Sequence, residues 1–394
     1  YRIMRILLYI PQQTFSVDAN KELVTALNVC LNENGNISGV QAEIAHAYSP
    51  QLLNDINIVH IFGCWNHQAA QLMQKATKAN IPTVFSPLGG LEPWTMKGKA
   101  AKRNLQTNLF QRRMTRQASA VHVAGKFENE MFTRLRWNPR VSIIKNPALT
   151  SLVSNKEMAR QMLTLYQKVL DSNVYPLMSQ QAATAMTYLL QAATCPEIAQ
   201  MPTTMKLAKE DVEKIDATDW RNICIYAHDE HISDIIAQGA AIINPELTMI
   251  EVDNAQRFAP SNKYSDKDLK CDDVLSSNIM LKSKVEDIAT DEQQTERELC
   301  MMVLNIKHEL AHNKLPLRHI ANLATRLNHE EYDEDVLATM LEETSATMFM
   351  ARLEAAMTTI TRLTEGFMPI KPIFDKQADA MTSEITKLKN IAVS

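Results

Sequence analysis

Glycine is scarce in this chain, with 9 among 394 residues, and seven of the nine fall at or before Gly125. A second conventional nucleotide-binding α/β domain needs tight βα turns and a phosphate loop, both of which favour a residue without a Cβ. With only Gly239 and Gly366 to supply them, the back half is expected to be helical instead. Long apolar runs are also missing: nothing approaches the roughly 18 uncharged apolar residues of a membrane-spanning helix. The stretch from Ile6 to Ile10 is too short for the apolar core of a signal peptide, so a cytoplasmic location is expected. The six cysteines (Cys30, Cys64, Cys195, Cys224, Cys271 and Cys300) never approach CxxC spacing, which removes the usual redox and zinc motifs and leaves reduced, mostly buried thiols. At 45% apolar and 22% charged residues the chain is neither disordered nor collagen-like, and its length suffices for two domains with their own cores.

The net charge of -4 conceals an asymmetry. Residues 1 to 150 carry 17 Lys and Arg against 8 Asp and Glu, whereas the remainder carries 24 against 37. Much of the front excess lies between Trp94 and Gln117, where Lys97, Lys99, Lys102, Arg103, Arg112, Arg113 and Arg116 occur without one acid. Such a patch suits phosphate groups or an anionic membrane surface. A nucleic-acid partner is not expected, because the patch lacks interleaved aromatics and any recognisable binding module.

Short apolar runs ending in Gly, Pro, Asn or His set the rhythm of the front part. Strands are expected at Met4 to Tyr9, Val40 to His46, Ile56 to Phe62, Thr83 to Phe85, Ala120 to Val123 and Val141 to Ile144. Helices are expected at Val17 to Leu31, closing near Asn34-Gly35, and at Gln68 to Ala79, with a basic amphipathic helix near 96 to 117. Alternating βα units of this length imply a doubly wound, Rossmann-like parallel sheet over residues 1–150, with functional loops at the strands' C-terminal ends. Residues 151–394 read as a mainly helical domain: 155 to 193 is rich in Ala, Gln, Met and Leu, and helical periodicity returns from Thr295 to Leu363. A strand-like island is expected at Asn222 to Tyr226, a polar connector at 254 to 290, and a proline-interrupted arm with a short helix at the end.

Taken in order, VHIFGCWNH, the loop SPLGGLEPW, the basic stretch running into QRRMTRQASAVHV, and SIIKNP resemble the N-terminal, acceptor-side domain of family 4 glycosyltransferases, which have two Rossmann-like domains. The resemblance covers about residues 4 to 148. It implies transfer of a sugar from a nucleotide-sugar donor to a glycan or lipid-linked acceptor in surface polysaccharide assembly, with peripheral contact at the inner membrane face and no other cofactor. Acceptor contacts would come from Asn66, His67, Gly89, Gly90, Glu92 and Trp94, beside the cleft between the two halves. Gly89 and Gly90 let a backbone approach a sugar or diphosphate and offer N–H donors; Pro93 suits a first helical position, and Trp94 suits stacking on a sugar face. Each has a plainer reading too: a simple turn for the glycines, sheet packing for Trp94, and helix capping for Asn66 and His67. On the basic helix, Leu105, Leu109, Phe110 and Met114 can share one face while Lys102, Arg103, Arg112, Arg113 and Arg116 stay near solvent, a composition suited to a membrane interface.

The chain also departs from that pattern. Leu88 stands where relatives carry His before the glycine, PQQTFS lacks the glycines expected of the first loop, and Asn146 precedes Pro147 rather than Gly. The donor-side motif, an acid, a Gly and a second Glu eight residues on, is absent: Glu365-Gly366 is followed at that spacing by Ile373. No catalytic base can be named, and a non-catalytic relative acting as a binding or assembly module is the alternative. A third reading, a zinc hydrolase, starts from His308-Glu309-Leu310-Ala311-His312, an HExxH motif that on a helix puts both imidazoles on one face with Glu309 placed to act as general base. His319, Glu330, Glu331 and Glu334 are candidate third ligands, but Lys307 and Lys314 flank the motif and a helix end is the plainer account, so no metal is assigned. His228-Asp229-Glu230-His231 reads as a helix opening with acids in its first turn rather than as a metal site. The 21 methionines are read as core filling.

Overall fold

In the front sequence, alternate residues of each short run face opposite sides, which is the pattern a sheet buried on both faces requires. The computed structural model describes residues 3–97, 100–258, 264, 278–288 and 291–388. It contains a six-stranded, wholly parallel sheet of β1 (Met4–Tyr9), β2 (Val40–Ala45), β3 (Ile58–Phe62), β4 (Thr83–Ser86), β5 (Ala120–Val123) and β6 (Val141–Ile143), in the order β2-β1-β3-β4-β5-β6. The order reverses between β1 and β3, so the open end of the sheet there is the switch point of a doubly wound fold.

Helices cover both faces. Ile6, Leu8, Ile58, Phe62, Val84 and Ala120 pack under α2 (Asp18–Ser38) and α8 (Asn155–Asp171), while Leu7, Tyr9, Val59, Ile61, Phe85 and Val121 pack under α3 (His67–Lys78) and α7 (Lys126–Leu135). Residues of α3 repeat at helical spacing, with Ala69, Leu72, Met73 and Ala76 buried, and Asn66 fixes its start by accepting a hydrogen bond from the Ala69 N–H. Each fully buried Leu, Ile, Val or Phe contributes about 1.5–3 kcal/mol, so this two-faced core is what holds the strand ends in place. The remaining helices of the unit are α1 (Gln12–Phe15), α4 (Pro93–Lys97), α5 (Ala100–Gln106), α6 (Arg112–Gln117) and α9 (Val174–Leu177).

The chain divides into two units, the first comprising Tyr1–Leu177 with Asp253–Ala259 and the second comprising Met178–Val252 with Pro260–Ser394. The first unit thus runs past residue 150, because α8 supplies Met158, Met162, Leu165, Tyr166 and Val169 to the sheet's own core. In the second unit the described residues form helices and no strand. They include α10 (Gln180–Thr194), α11 (Pro202–Glu213), α12 (Ala217–Asp229), α13 (Ser233–Ile243) and, further on, Ile279–Ile288, Gln294–Ala311, Leu317–His329, Glu334–Glu343, Thr347–Ile360 and Lys376–Thr386. α10 and α13 cross at Gly239, where an added Cβ would sit 1.9 Å from the Leu189 carbonyl oxygen.

Three expectations are corrected. Asn222 to Tyr226 is not a strand but the middle of α12, a helix whose start is fixed by Asp216 accepting from the Thr218 and Asp219 N–H groups. α2 does not close at Asn34-Gly35 but continues to Ser38. Most of the connector expected over 254–290 lies outside the described residues, and its described parts include a short turn at Asn254–Gln256 and the helix Ile279–Ile288.

Candidate functional site

Loops gather where β3, β4 and β5 end. After β3 the chain turns through Gly63 (φ 88) and Trp65 (φ 66), and after β4 through Leu88 (φ 52) and Gly89 (φ 72). Two glycines here answer to packing. A Cβ on Gly63 would lie 2.9 Å from Thr14 Cγ2, and one on Gly90 would lie 2.9 Å from both Cβ and Sγ of Cys64. The two loops are therefore pressed against each other and against α1.

The donors of the glycine loop are engaged within the unit. The Gly89 N–H donates to Glu128 Oε1 (2.7 Å), and the Gly90 N–H donates to the Pro87 carbonyl (3.0 Å). Glu128 also accepts from the Ala124 N–H at Oε2 (2.7 Å), so one carboxylate in the first turn of α7 ties the β4 loop to the β5 loop. This placement also satisfies the positive end of the α7 dipole. The expectation that Gly89 and Gly90 present free N–H groups is corrected on that ground. Glu92 stands beside Gly89, and its carboxyl is held above the usual range by burial and by the neighbouring Glu128 charge.

Trp65 joins the glycine loop to the basic segment. Its Nε1–H donates to the Gly90 carbonyl (2.9 Å), its backbone N–H to Gln111 Oε1 (2.7 Å), and its carbonyl accepts from Gln106 Nε2 (3.3 Å). The Arg103 guanidinium lies over the indole at 4.5 Å, close enough for a cation–π contact. The basic segment is not one regular helix: α5 and α6 are joined by a π-helical turn over Thr107–Gln111, a feature often found at functional sites. The four apolar residues expected on one face do not share it. Met114 is buried and Phe110 half-buried, but Leu105 and Leu109 are 60% and 67% exposed beside exposed Lys102, Arg112, Arg113 and Arg116. Arg103 leaves the solvent face for Trp65, Lys97 is exposed at the end of α4, and Lys99 lies outside the described residues.

The remaining candidates divide. Asn66 is the cap of α3, while His67 is exposed with its ring edge-on to Phe110 at 6.0 Å. Pro93 opens α4, and Trp94 is 58% exposed and stacks on Phe127 with ring centres 5.5 Å apart and planes 16° from parallel. Asn66, Gly89, Gly90 and Glu92 belong to the tightly bonded loop cluster, and Trp94 with Phe127 offers an open aromatic surface on the same loops.

Sequence reasoning missed a buried polar chain beneath these loops. His60, Ser86, His122 and Tyr166 are all buried on the α8 side of the sheet: His60 Nδ1 to Tyr166 Oη is 2.7 Å, His60 Nε2 to Ser86 Oγ 2.7 Å, Ser86 Oγ to His122 Nδ1 2.6 Å, and His122 Nε2 to the Ile144 carbonyl 2.9 Å. Burial drives both imidazoles toward neutrality, His122 down to about 4 and His60 well below its ordinary value, with His122 adding repulsion to the latter. Hydrogen-bond direction then follows from valence. A carbonyl only accepts, so His122 Nε2 carries its proton and Nδ1 accepts from Ser86; Ser86 accepts from His60 Nε2–H, and His60 Nδ1 accepts from Tyr166. All four groups are satisfied in one direction, and Ser86 is locked at the point where the glycine loop leaves β4. The signal was present, since His60 and His122 interrupt apolar strands and Ser86 ends one.

In the second unit the two remaining motifs lie where α12 and the helix Gln294–Ala311 end. Asp229 closes α12 rather than opening a helix, so the first-turn account of Asp229 and Glu230 is corrected. Buried Glu230 accepts from the Leu317 N–H (2.9 Å) and pairs with Lys387 Nζ (2.7 Å). His308 lies in the last turn of its helix and His312 just beyond it, where His312 Nδ1 donates to the His308 carbonyl at 2.7 Å. Glu309 turns inward to buried His319, 2.6 Å from Nδ1. Among the described residues no group of three His, Cys, Asp or Glu is placed to hold a metal ion. None of the described helices is long and apolar enough to cross a membrane.

Comparison of the chain with protein-family models, with curated proteins and with solved structures finds no match.

Proposed function

We propose that the front unit binds the acceptor of a sugar-transfer reaction at the C-terminal edge of its sheet, and that the chain transfers a sugar to a glycan or lipid-linked acceptor from a nucleotide-sugar donor. The observation that carries this reading is the loop cluster around Trp65: three strand ends drawn together, with the Trp94–Phe127 aromatic surface and a basic segment on the same loops. Aromatic faces suit the apolar face of a sugar ring, and exposed Leu105 and Leu109 among cations suit an anionic lipid surface. Calorimetric titration with the common nucleotide sugars tests the reading. Saturable binding, followed by transfer to a glycan acceptor, is the expected result.

A second reading has its own observation. The described part of the second unit has helices and no strand, Gly239 is consumed by a helix crossing, and no acid-Gly-Glu donor motif accompanies Glu365. A chain that keeps an acceptor-type sheet with a helical partner unit would act as a non-catalytic binding or assembly module. Silence across the nucleotide sugars, with retained glycan or vesicle binding, selects it.

A further inference from the structure

Arg103 is the cation of the basic segment with a defined seat. Its guanidinium lies on the Trp65 indole at 4.5 Å, its Nη1 donates to Gln106 Oε1 at 3.1 Å, and it makes no ion pair with a carboxylate among the described residues. Its Nε is buried and has no hydrogen-bond partner. Four residues on, at the first position of the π-helical turn, the Thr107 hydroxyl is buried and unpartnered as well. Residues at this spacing share one helix face. Leaving a buried donor unpaired costs about 1–3 kcal/mol, and the guanidinium Nε and the Thr107 hydroxyl are two such donors on one face.

A planar guanidinium offers paired N–H donors whose spacing matches two phosphate oxygens, which an ammonium cannot reproduce. The guanidinium rests over the Trp65 indole, which through Nε1 is bonded to the Gly90 carbonyl. Lys102, next in sequence, is exposed and adds positive potential without filling the seat. We propose that Arg103 and Thr107 bind a phosphate group carried by the acceptor, which makes the acceptor a phosphorylated or diphosphate-linked molecule rather than a neutral glycan. This rests on the reading that the acceptor docks at the Trp65 loops.

The test uses the full chain and two probes. Inorganic pyrophosphate is titrated by calorimetry, and vesicles of phosphatidylcholine with and without phosphatidic acid are assayed by co-sedimentation. Arg103→Gln is expected to weaken phosphate binding at least tenfold, Arg103→Lys to fall between it and the parent, and Thr107→Val to lose about threefold. Arg134→Gln, exposed on α7, is expected to change it less than twofold. Circular dichroism melts of each variant separate lost binding from lost folding. Arg103-dependent binding of pyrophosphate marks a soluble phosphate, and Arg103-dependent binding of phosphatidic acid vesicles alone marks a lipid-borne one; either supports the proposal. Binding that Arg134→Gln weakens as much as Arg103→Gln, or no Arg103-dependent binding of either probe, overturns it. Nucleotide-sugar titration is read separately: silence there beside Arg103-dependent phosphate binding removes sugar transfer and leaves this site, while transfer without Arg103 dependence does the reverse.

Discussion

Removing the Ser86 hydroxyl should destabilise the front sheet far more than its size implies. Ser86→Ala deletes one oxygen but orphans two buried groups, the His60 Nε2–H donor and the His122 Nδ1 acceptor, both at or below 2% exposure. At about 1–3 kcal/mol for each unpaired buried group, the loss is expected at roughly 2–6 kcal/mol. Tyr166→Phe leaves only His60 Nδ1 without its donor and should cost about half as much. Global melting would mix the two units, so the readout is hydrogen exchange of the β3, β4 and β5 amides, which reports opening of this sheet.

The same chain predicts a pH response whose sign can be worked out. His122 titrates near 4 when folded against about 6.5 when unfolded. The unfolded state therefore binds more protons, and the stability supplied by neutral His122 is present above 6.5 and lost as pH falls toward 4. Between pH 7 and pH 5 the loss is on the order of 2 kcal/mol from His122, with His60 adding in the same direction. Amide protection in β3 to β5 should fall over that range. Protection that rises with acid, or a Ser86→Ala variant within about 0.5 kcal/mol of the parent, would refute the directional chain.

Buried Glu354 should respond in the opposite sense, because burial raises its carboxyl to about 8 and the folded state holds the extra proton. Its helix, Thr347–Ile360, should lose on the order of 3 kcal/mol of local stability as pH rises from 5 to 8, and Glu354→Gln should abolish that slope in hydrogen exchange. Gly239→Ala is expected to part α10 from α13, with a loss of about 3 kcal/mol or failure to fold in thermal denaturation, since its methyl would fall 1.9 Å from the Leu189 oxygen. Leu105→Ser with Leu109→Ser should reduce co-sedimentation with anionic vesicles, and raised salt should reduce the parent's binding through the surrounding cations. Metal analysis of purified protein is expected to find less than about a tenth of an equivalent of zinc, because Glu309 is committed to His319 rather than aimed beside His308 and His312.

What the sequence made legible follows from how local each determinant is. β1, β3 and β5 were readable because their burial is written as apolar runs of strand length, and α3 because Asn66 and the spacing of Ala69, Leu72, Met73 and Ala76 act within a few residues. Asn222 to Tyr226 misled because the buried run Ile223, Cys224, Ile225 and Tyr226 looks alike in a strand and in a packed helix; the deciding residue was Asp216, which caps α12 from six positions upstream of Asn222. In the site, the glycines and the basic residues were visible, but their use depends on partners distant in sequence. Gly89 yields its N–H to Glu128, 39 residues on, and Arg103 is drawn from the solvent face by Trp65. The π-helical turn leaves no periodic trace at all.

The polar interruptions carry the more general argument. His60, Ser86 and His122 each sit in a strand where an apolar residue would cost less to bury, and desolvation of such groups is tolerable only when every donor meets an acceptor. Because the valences close in only one direction, the chain fixes the register of α8 over the sheet and the departure point of the glycine loop together. Apolar side chains at those positions would bury as well but would not specify where Ser86 hands over to Pro87 and Gly89. The loops around Trp65 owe their fixed placement to that specificity, and a site that recognises a planar phosphate or a sugar face needs such placement to within a fraction of an ångström.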